Sequence, residues 1–219
     1  ERTILNNLGV VYLNLGDVLK AIECYEQSLN IAYKIGDRRG ELRTLNNLGN
    51  ACRISGDIHR AVDLLNKSLL VAREIDDRRG EATALGYLGI AYREFGDLNR
   101  ARDYLEKQLI ITREIGDRRG ESEALSNIGS IYIEMNDAPR AIRYYEQGLD
   151  IAREVGDQQG EAADLGDLGT AYFQLGDLKR AIVYYEQQLS IVRQISDRRG
   201  EGTSIGNLGN AYRELGNDE

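Results

Sequence analysis

The chain repeats itself every forty residues, and this period constrains its fold more than any other property. The block from Asp77 to Gly116 reads DRRGEATALGYLGIAYREFGDLNRARDYLEKQLIITREIG, and Asp117 then opens the next copy with the same Asp-Arg-Arg-Gly-Glu. Asp37, Asp77, Asp117, Asp157 and Asp197 mark five starts, with no insertion or deletion between them. A fixed period of this size is the signature of stacked supersecondary units, each burying its apolar face only against its neighbours. The length of 219 residues would alone allow one or two globular domains. The unbroken period makes it a single array over residues 1–219. Glu1 falls inside a repeat, and neither end carries the polar face of a capping repeat, so the sequence reads as an excerpt of a longer array.

The apolar spacing inside one block is helical. Ala84, Leu85, Leu88, Ala91, Tyr92 and Phe95 follow the i, i+3, i+4, i+7 pattern of one face and predict a first helix, A, over about residues 78–95. Gly96-Asp97 then supplies a stop and a start: glycine accepts the left-handed conformation that ends a helix, and Asp accepts hydrogen bonds from the free N–H groups of the next. Leu98, Ala101, Leu105, Leu109, Thr112 and Ile115 mark the inner face of a second helix, B.

The A-to-B stop is Gly16, Gly56, Gly96, Asn136, Gly176 and Gly216, whose one exception is the next most tolerant residue for positive φ. The B-to-A stop (Gly36, Asp76, Gly116, Gly156, Ser196) is looser, which predicts a turn of variable geometry. Pro139 falls in the first turn of its helix, where a missing N–H costs nothing. The expected fold is all-α: an α-solenoid of eleven helices, five A–B pairs and a sixth A helix over about residues 199–215.

Composition narrows the function classes. A net charge of -8 and a pI near 4.9 argue against nucleic acid and anionic membrane as partners, since both need a positive field. No apolar run approaches the length of a membrane span. Cys24 and Cys52 replace Tyr or Leu of other copies and read as buried thiols, which suits a reducing, cytoplasmic setting. His59, the sole histidine, has no matched Cys, Ser or metal-ligand partner and reads as a surface residue. No phosphate loop, nucleophile elbow or zinc spacing occurs, so no catalytic, metal or cofactor residue is assigned and no enzymatic activity is expected.

Within each block the pattern Leu-Gly-x-Ala-Tyr, Gly-Asp, Ala-x-x-Tyr resembles the tetratricopeptide repeat; here it is Leu88-Gly89-Ile90-Ala91-Tyr92, Gly96-Asp97 and Ala101. Leu208-Gly209-Asn210-Ala211-Tyr212 follows it most closely. The usual unit is about 34 residues long. The forty-residue period with Gly-Asp-Arg-Arg-Gly-Glu at the join looks like the Pins/LGN type of adaptor, and equally like the arms of bacterial STAND ATPases and caspase-like proteases. Kinesin light chains are a more distant relation. The resemblance implies that A helices line a concave groove and B helices form the outer wall. It places Gly89 and Ala101 where A meets B, and Tyr92 in the gap between repeats.

On that frame three rows of helix A are candidates for recognition. The first is Asn7, Asn47, Tyr87, Asn127, Asp167, Asn207, flanked by Asn6, Asn46, Asn50 and Asn210. Asn is a mediocre helix former, so its recurrence in mid-helix calls for a role: holding a peptide backbone through its carboxamide, or bonding the neighbouring repeat. The second row is Leu13, Arg53, Arg93, Ile133, Phe173, Arg213; with Arg43 it makes the early groove basic, whereas Glu123, Glu134 and Asp167 make the later groove acidic. Pins/LGN-type arrays take acidic peptides on groove Asn and Arg, a pattern Asn47, Asn50, Arg53 and Arg93 match and Ile133 and Phe173 leave. The third row, Asn6, Asn46, Gly86, Ser126, Gly166, Gly206, leaves room for a ligand or for close helix packing. The Arg pairs from Arg38-Arg39 to Arg198-Arg199 read as a ladder with Glu41, Glu81, Glu121 and Glu201 rather than as an anion site.

The expected peptide-binding residues are therefore Asn7, Asn46, Asn47, Asn50, Arg53, Tyr87, Arg93, Asn127, Asn207, Asn210 and Arg213. Three readings stand: a scaffold binding a partner peptide or segment, acidic in one version; a sensor or autoinhibitory arm whose ligand is another domain of its own chain; and self-association through apolar ends.

Overall fold

Ten aspartates divide the protein into its helices. In the computed structural model, which describes residues 1–217, the order is α1 (Arg2–Asn14), α2 (Val18–Ile35), α3 (Arg38–Ile54), α4 (Ile58–Glu74), α5 (Arg78–Glu94), α6 (Leu98–Glu114), α7 (Arg118–Glu134), α8 (Ala138–Val155), α9 (Gln158–Gln174), α10 (Leu178–Gln194) and α11 (Arg198–Asn217). Odd-numbered helices are A, even-numbered are B. Asp97 shows the joint at work. Its backbone N–H closes the end of α5 on the Tyr92 carbonyl at 2.9 Å, while its carboxylate accepts the Arg100 N–H at the start of α6. Together with the Gly96 N–H on the Arg93 carbonyl, this is a Schellman closure followed directly by an N-cap. Pro139 lies in the first turn of α8, as expected.

The B-to-A turn does not vary. Gly36, Asp76, Gly116, Gly156 and Ser196 all take φ between 55° and 69°, so Asp76 and Ser196 adopt the same left-handed turn as the glycines. The turn is imposed by the paired hydrogen bonds around it (Asp76 N–H on the Arg73 carbonyl, Asp77 N–H on that of Ala72), and residues without glycine's freedom are held there at a cost. Asp76→Gly and Ser196→Gly should each raise stability by about 0.5–1 kcal/mol, read as a higher urea midpoint at unchanged m-value. A drop at both sites would mean that these side chains hold the turn by other means. The expected stop at Gly216 is a correction: α11 runs through it to Asn217. At the other A-helix ends an Asp follows the glycine or asparagine and closes the turn; here Asn217 follows.

The helices form two compact units, Glu1–Ile115 and Gly116–Glu219. Each is built of antiparallel hairpins joined by one rule: a glycine of the A helix lies under a large side chain of its B helix. A Cβ on Gly49 or Gly89 would fall 2.7 Å or 2.6 Å from Leu65 or Leu105, and on Gly129 or Gly169 it would meet the ring of Tyr145 or Tyr185. Ala21, Ala61, Ala101, Ala141 and Ala181 are fully buried on the B side. Tyr92, Tyr132 and Tyr172 stack on Tyr104, Tyr144 and Tyr184 of their own hairpins, with ring centroids 5.3–5.4 Å apart. Tyr92 thus closes its hairpin rather than filling only the gap between repeats. Cys24 and Cys52 are buried free thiols whose pKa values burial raises. His59 is exposed, edge-on to Phe95.

Candidate peptide-binding surface

Neighbouring A helices touch within each unit, α1 with α3 and α3 with α5 in the first and α7 with α9 in the second. No comparable contact joins α2 to α4, α4 to α6 or α8 to α10 among the described residues. The A layer is therefore the inner side of each unit, and A-helix side chains left over from packing form its inner surface.

Much of the polar pattern on that surface is spent on holding helices together. Asn6 is buried, and its Oδ1 accepts from the Thr44 hydroxyl at 3.3 Å and from Asn47 Nδ2 at 3.2 Å, tying α1 to α3. Asn46, expected among the peptide-binding residues, is also buried, and its Oδ1 accepts from Ser68 of α4 at 2.7 Å. Two of the three glycines of the same row are packing devices, and the third, Gly206, is uncovered. Gly86 lies under the Gln108 carboxamide, which a Cβ would meet at 2.8 Å, and Gly166 lies under Gln188 in the same way. Where helix A keeps a polar side chain, B shrinks: Asn46 faces Ser68, and Ser126 faces Gly148. At Gly86 and Gly166 the row serves close helix packing.

In the first unit, Asn47, Asn50 and Arg53 are half-buried on α3, Tyr87 and Arg93 are half-buried on α5, and Asn7 is exposed on α1. Asn50 Oδ1 accepts from Arg53 Nη2 at 2.9 Å and from Nε at 3.2 Å, and Arg53 Nη1 pairs with Glu94. Arg53 is thus a brace from α3 to α5, with its guanidinium already committed. In the second unit Asn127 and Asn207 are half-buried, and Asn210 and Arg213 are exposed, joined to each other at 3.1 Å as Asn50 is to Arg53.

The arginine pairs divide by position. The first member forms the ladder in three of the four pairs: Arg38 pairs with Glu41 at 2.6 Å and with Glu74, Arg78 with Glu81 at 2.7 Å and with Glu114, Arg118 with Glu121 and Glu154. Arg73–Glu81, Arg153–Glu161 and Arg193–Glu201, each 2.8 Å, carry it from one hairpin to the next. Of the second members, Arg39 pairs with no carboxylate among the described residues, and it lines a cleft of about 420 Å³ with Arg2, Arg43, Arg79, Asn46 and Asn47. Its signal in the sequence is the row Arg43, Thr83, Glu123, Ala163, Thr203, basic at one copy only.

A second residue escaped notice. Asp164 stands in a row otherwise filled by Ile4, Thr44, Ala84, Ala124 and Ser204, and it is buried. Its Oδ1 accepts from Ser126 at 2.5 Å, and its Oδ2 lies buried against Gly148 with no partner among the described residues. Burial pushes its pKa from near 3.8 to about 7; the Ser126 hydrogen bond opposes the shift, and Asp167 and Asp157 add to it. The one charged residue in a row of uncharged ones was the available signal.

No helix among the described residues is long and apolar enough to cross a membrane. No curated protein sequence matches the chain. Among solved structures it resembles BtubC from P. vanneervenii (21% identity, 91% of this chain and 84% of that one, TM-score 0.80). It also resembles a STAND signal-transduction ATPase with a tetratricopeptide repeat sensor from Pyrococcus horikoshii (21% identity, 95% of this chain but 32% of that one, TM-score 0.82). A third likeness is to the TPR-like repeats of a putative kinesin light chain from Podosopora anserina (20% identity, 90% and 96%, TM-score 0.69). At these identities the likeness is one of fold. The tetratricopeptide repeat model matches residues 1–74, 52–107, 80–154 and 157–219, and the chain belongs to the tetratricopeptide repeat family.

Proposed function

We propose that the protein is a protein–protein interaction scaffold whose inner A-helix surface, in the unit Glu1–Ile115, takes up a segment of a partner protein. The observation that supports this is the unspent hydrogen-bonding capacity of Asn47 and Asn50. Asn47 donates to Asn6 while its Oδ1 accepts nothing among the described residues; Asn50 accepts from Arg53 while its Nδ2 donates to nothing. Three residues apart on α3, they share a face and offer one acceptor and one donor group. A peptide backbone has the complementary pair, whatever its side chains. Arg93, half-buried on α5, stands at the position that Arg53 holds on α3, and a guanidinium there favours an acidic segment.

Changing Asn47, Asn50 and Arg93 together to Ala should weaken binding of an acidic partner peptide at least about tenfold, with helix content unchanged by circular dichroism. Calorimetric titration reads the difference, and equal affinity for the two proteins sinks the assignment of this face.

A further inference from the structure

We propose that the cleft between the first turns of α1, α3 and α5 is a binding site for a phosphate monoester dianion. Four guanidinium groups (Arg2, Arg39, Arg43, Arg79) and only two carboxylates (Asp37, Asp77) line it. Both carboxylates are already occupied. Asp37 accepts the Gly40 N–H at 2.8 Å and pairs through its other oxygen with Arg2 Nε at 2.8 Å, and Asp77 accepts the Gly80 N–H at 2.8 Å. Arg39 and Arg43 are the two guanidiniums of the cleft that no carboxylate among the described residues engages, in a chain whose net charge is -8.

The donors are placed for an anion. Arg2 is held by Asp37 and Thr3, yet its Nη1 is buried with no partner among the described residues, a donor that an incoming oxygen would satisfy. Gly40 makes that placement possible, since a Cβ there would fall 2.6 Å from the Arg2 guanidinium carbon. Arg39 and Arg43 are exposed, lie one helical turn apart on α3, and pair with no carboxylate among the described residues. The N-terminal ends of α3 and α5 add their dipoles in the same sense.

A dianion matches the two positive charges of Arg39 and Arg43, and three phosphoryl oxygens can accept from guanidiniums arriving from both α1 and α3, which a lone carboxylate cannot. At about 420 Å³ the cleft also has room for the alcohol portion of an ester. The second unit provides an internal control: the positions of Arg39, Arg43 and Asn47 are there Arg119, Glu123 and Asn127, and Arg119 pairs with Asp157, so the two uncommitted guanidiniums belong to the first unit alone. The site shares Asn46 and Asn47 with the inner surface but does not depend on peptide capture there.

The test is an NMR titration of the full chain with inorganic phosphate, phenyl phosphate and the peptide Gly-Gly-phosphoSer-Gly-Gly. The monoesters should give saturable shifts at the Gly40 and Gly80 amides and bind more tightly than inorganic phosphate. R39Q/R43Q should weaken them at least about tenfold, and Arg43→Thr, which copies Thr83 and so suits the fold, several-fold. Tighter binding of the peptide than of phenyl phosphate assigns the site to a phosphorylated segment, and the reverse to a small phosphate ester. The proposal is overturned by the absence of saturable shifts, by equal binding to both variants, or by a Glu-containing peptide binding as well as the phosphorylated one.

Discussion

Asp164→Asn should stabilise the protein by about 3–4 kcal/mol at pH 8 and leave it nearly unchanged at pH 4. The magnitude follows from a carboxyl whose pKa rises from near 3.8 to about 7 on burial, at roughly 1.4 kcal/mol per unit. Its sign follows from proton counting. Between those two values the native state holds a proton that the unfolded state has lost, so stability falls as pH rises from about 4 to about 7. Above that window the buried carboxylate carries its full penalty, with Oδ2 unpartnered against Gly148 and Asp167 and Asp157 repelling it. Asn removes the charge and keeps an oxygen for the Ser126 hydroxyl. Urea unfolding of both proteins at pH 4, 6 and 8 reads the difference. Parallel stability profiles for the two would show that Asp164 is solvated or partnered and would defeat this account.

The second large effect comes from the glycine row. Gly89→Val places a branched side chain where a single Cβ would already lie 2.6 Å from Leu105 Cγ and 3.2 Å from the Ala101 carbonyl oxygen. Leu105 is fully buried and the carbonyl is backbone, so neither can move cheaply. We expect a loss of about 2–3 kcal/mol, and because the repeats lean on their neighbours the lesion should loosen the adjoining hairpins. Gly209 is the control. It occupies the same row, but a Cβ there meets nothing within 4 Å, so Gly209→Ala should instead gain about 0.5–1 kcal/mol in helix propensity. Urea midpoints of opposite sign for one repeat position would separate hairpin packing from intrinsic helix preference. Two losses of similar size would show that the row resists substitution for reasons of backbone alone.

Both predictions concern positions that one copy of the repeat cannot interpret. Gly89 and Gly209 are the same letter in the same motif, and only the presence of Leu105 over one of them gives the substitutions opposite signs. Asp164 likewise looks like one more acidic residue among many until Ser126 and Gly148, tens of residues away, enclose it.

The candidate site divides along the same line. Asn46 and Asn47 are adjacent, identical and equally plausible in a groove, yet Ser68 takes the first into the core and the second keeps a free oxygen. Arg38 and Arg39 are adjacent too; Glu41 and Glu74 commit the first to the ladder, and the second lines the cleft. Arg53, one of the residues expected to make the early groove basic, is tied to Asn50 and Glu94.

Taken alone, the sequence determined the period, the helix pairs, the Gly-Asp joints and the family, because each rests on contacts within a few residues: a cap, a left-handed turn, an i to i+4 stripe. Only the tertiary structure decided which polar side chains remain to meet a partner. A hydrogen bond or a carboxylate twenty to forty residues away consumes one copy of a repeated position and spares another, and the identity of the residue does not reveal which.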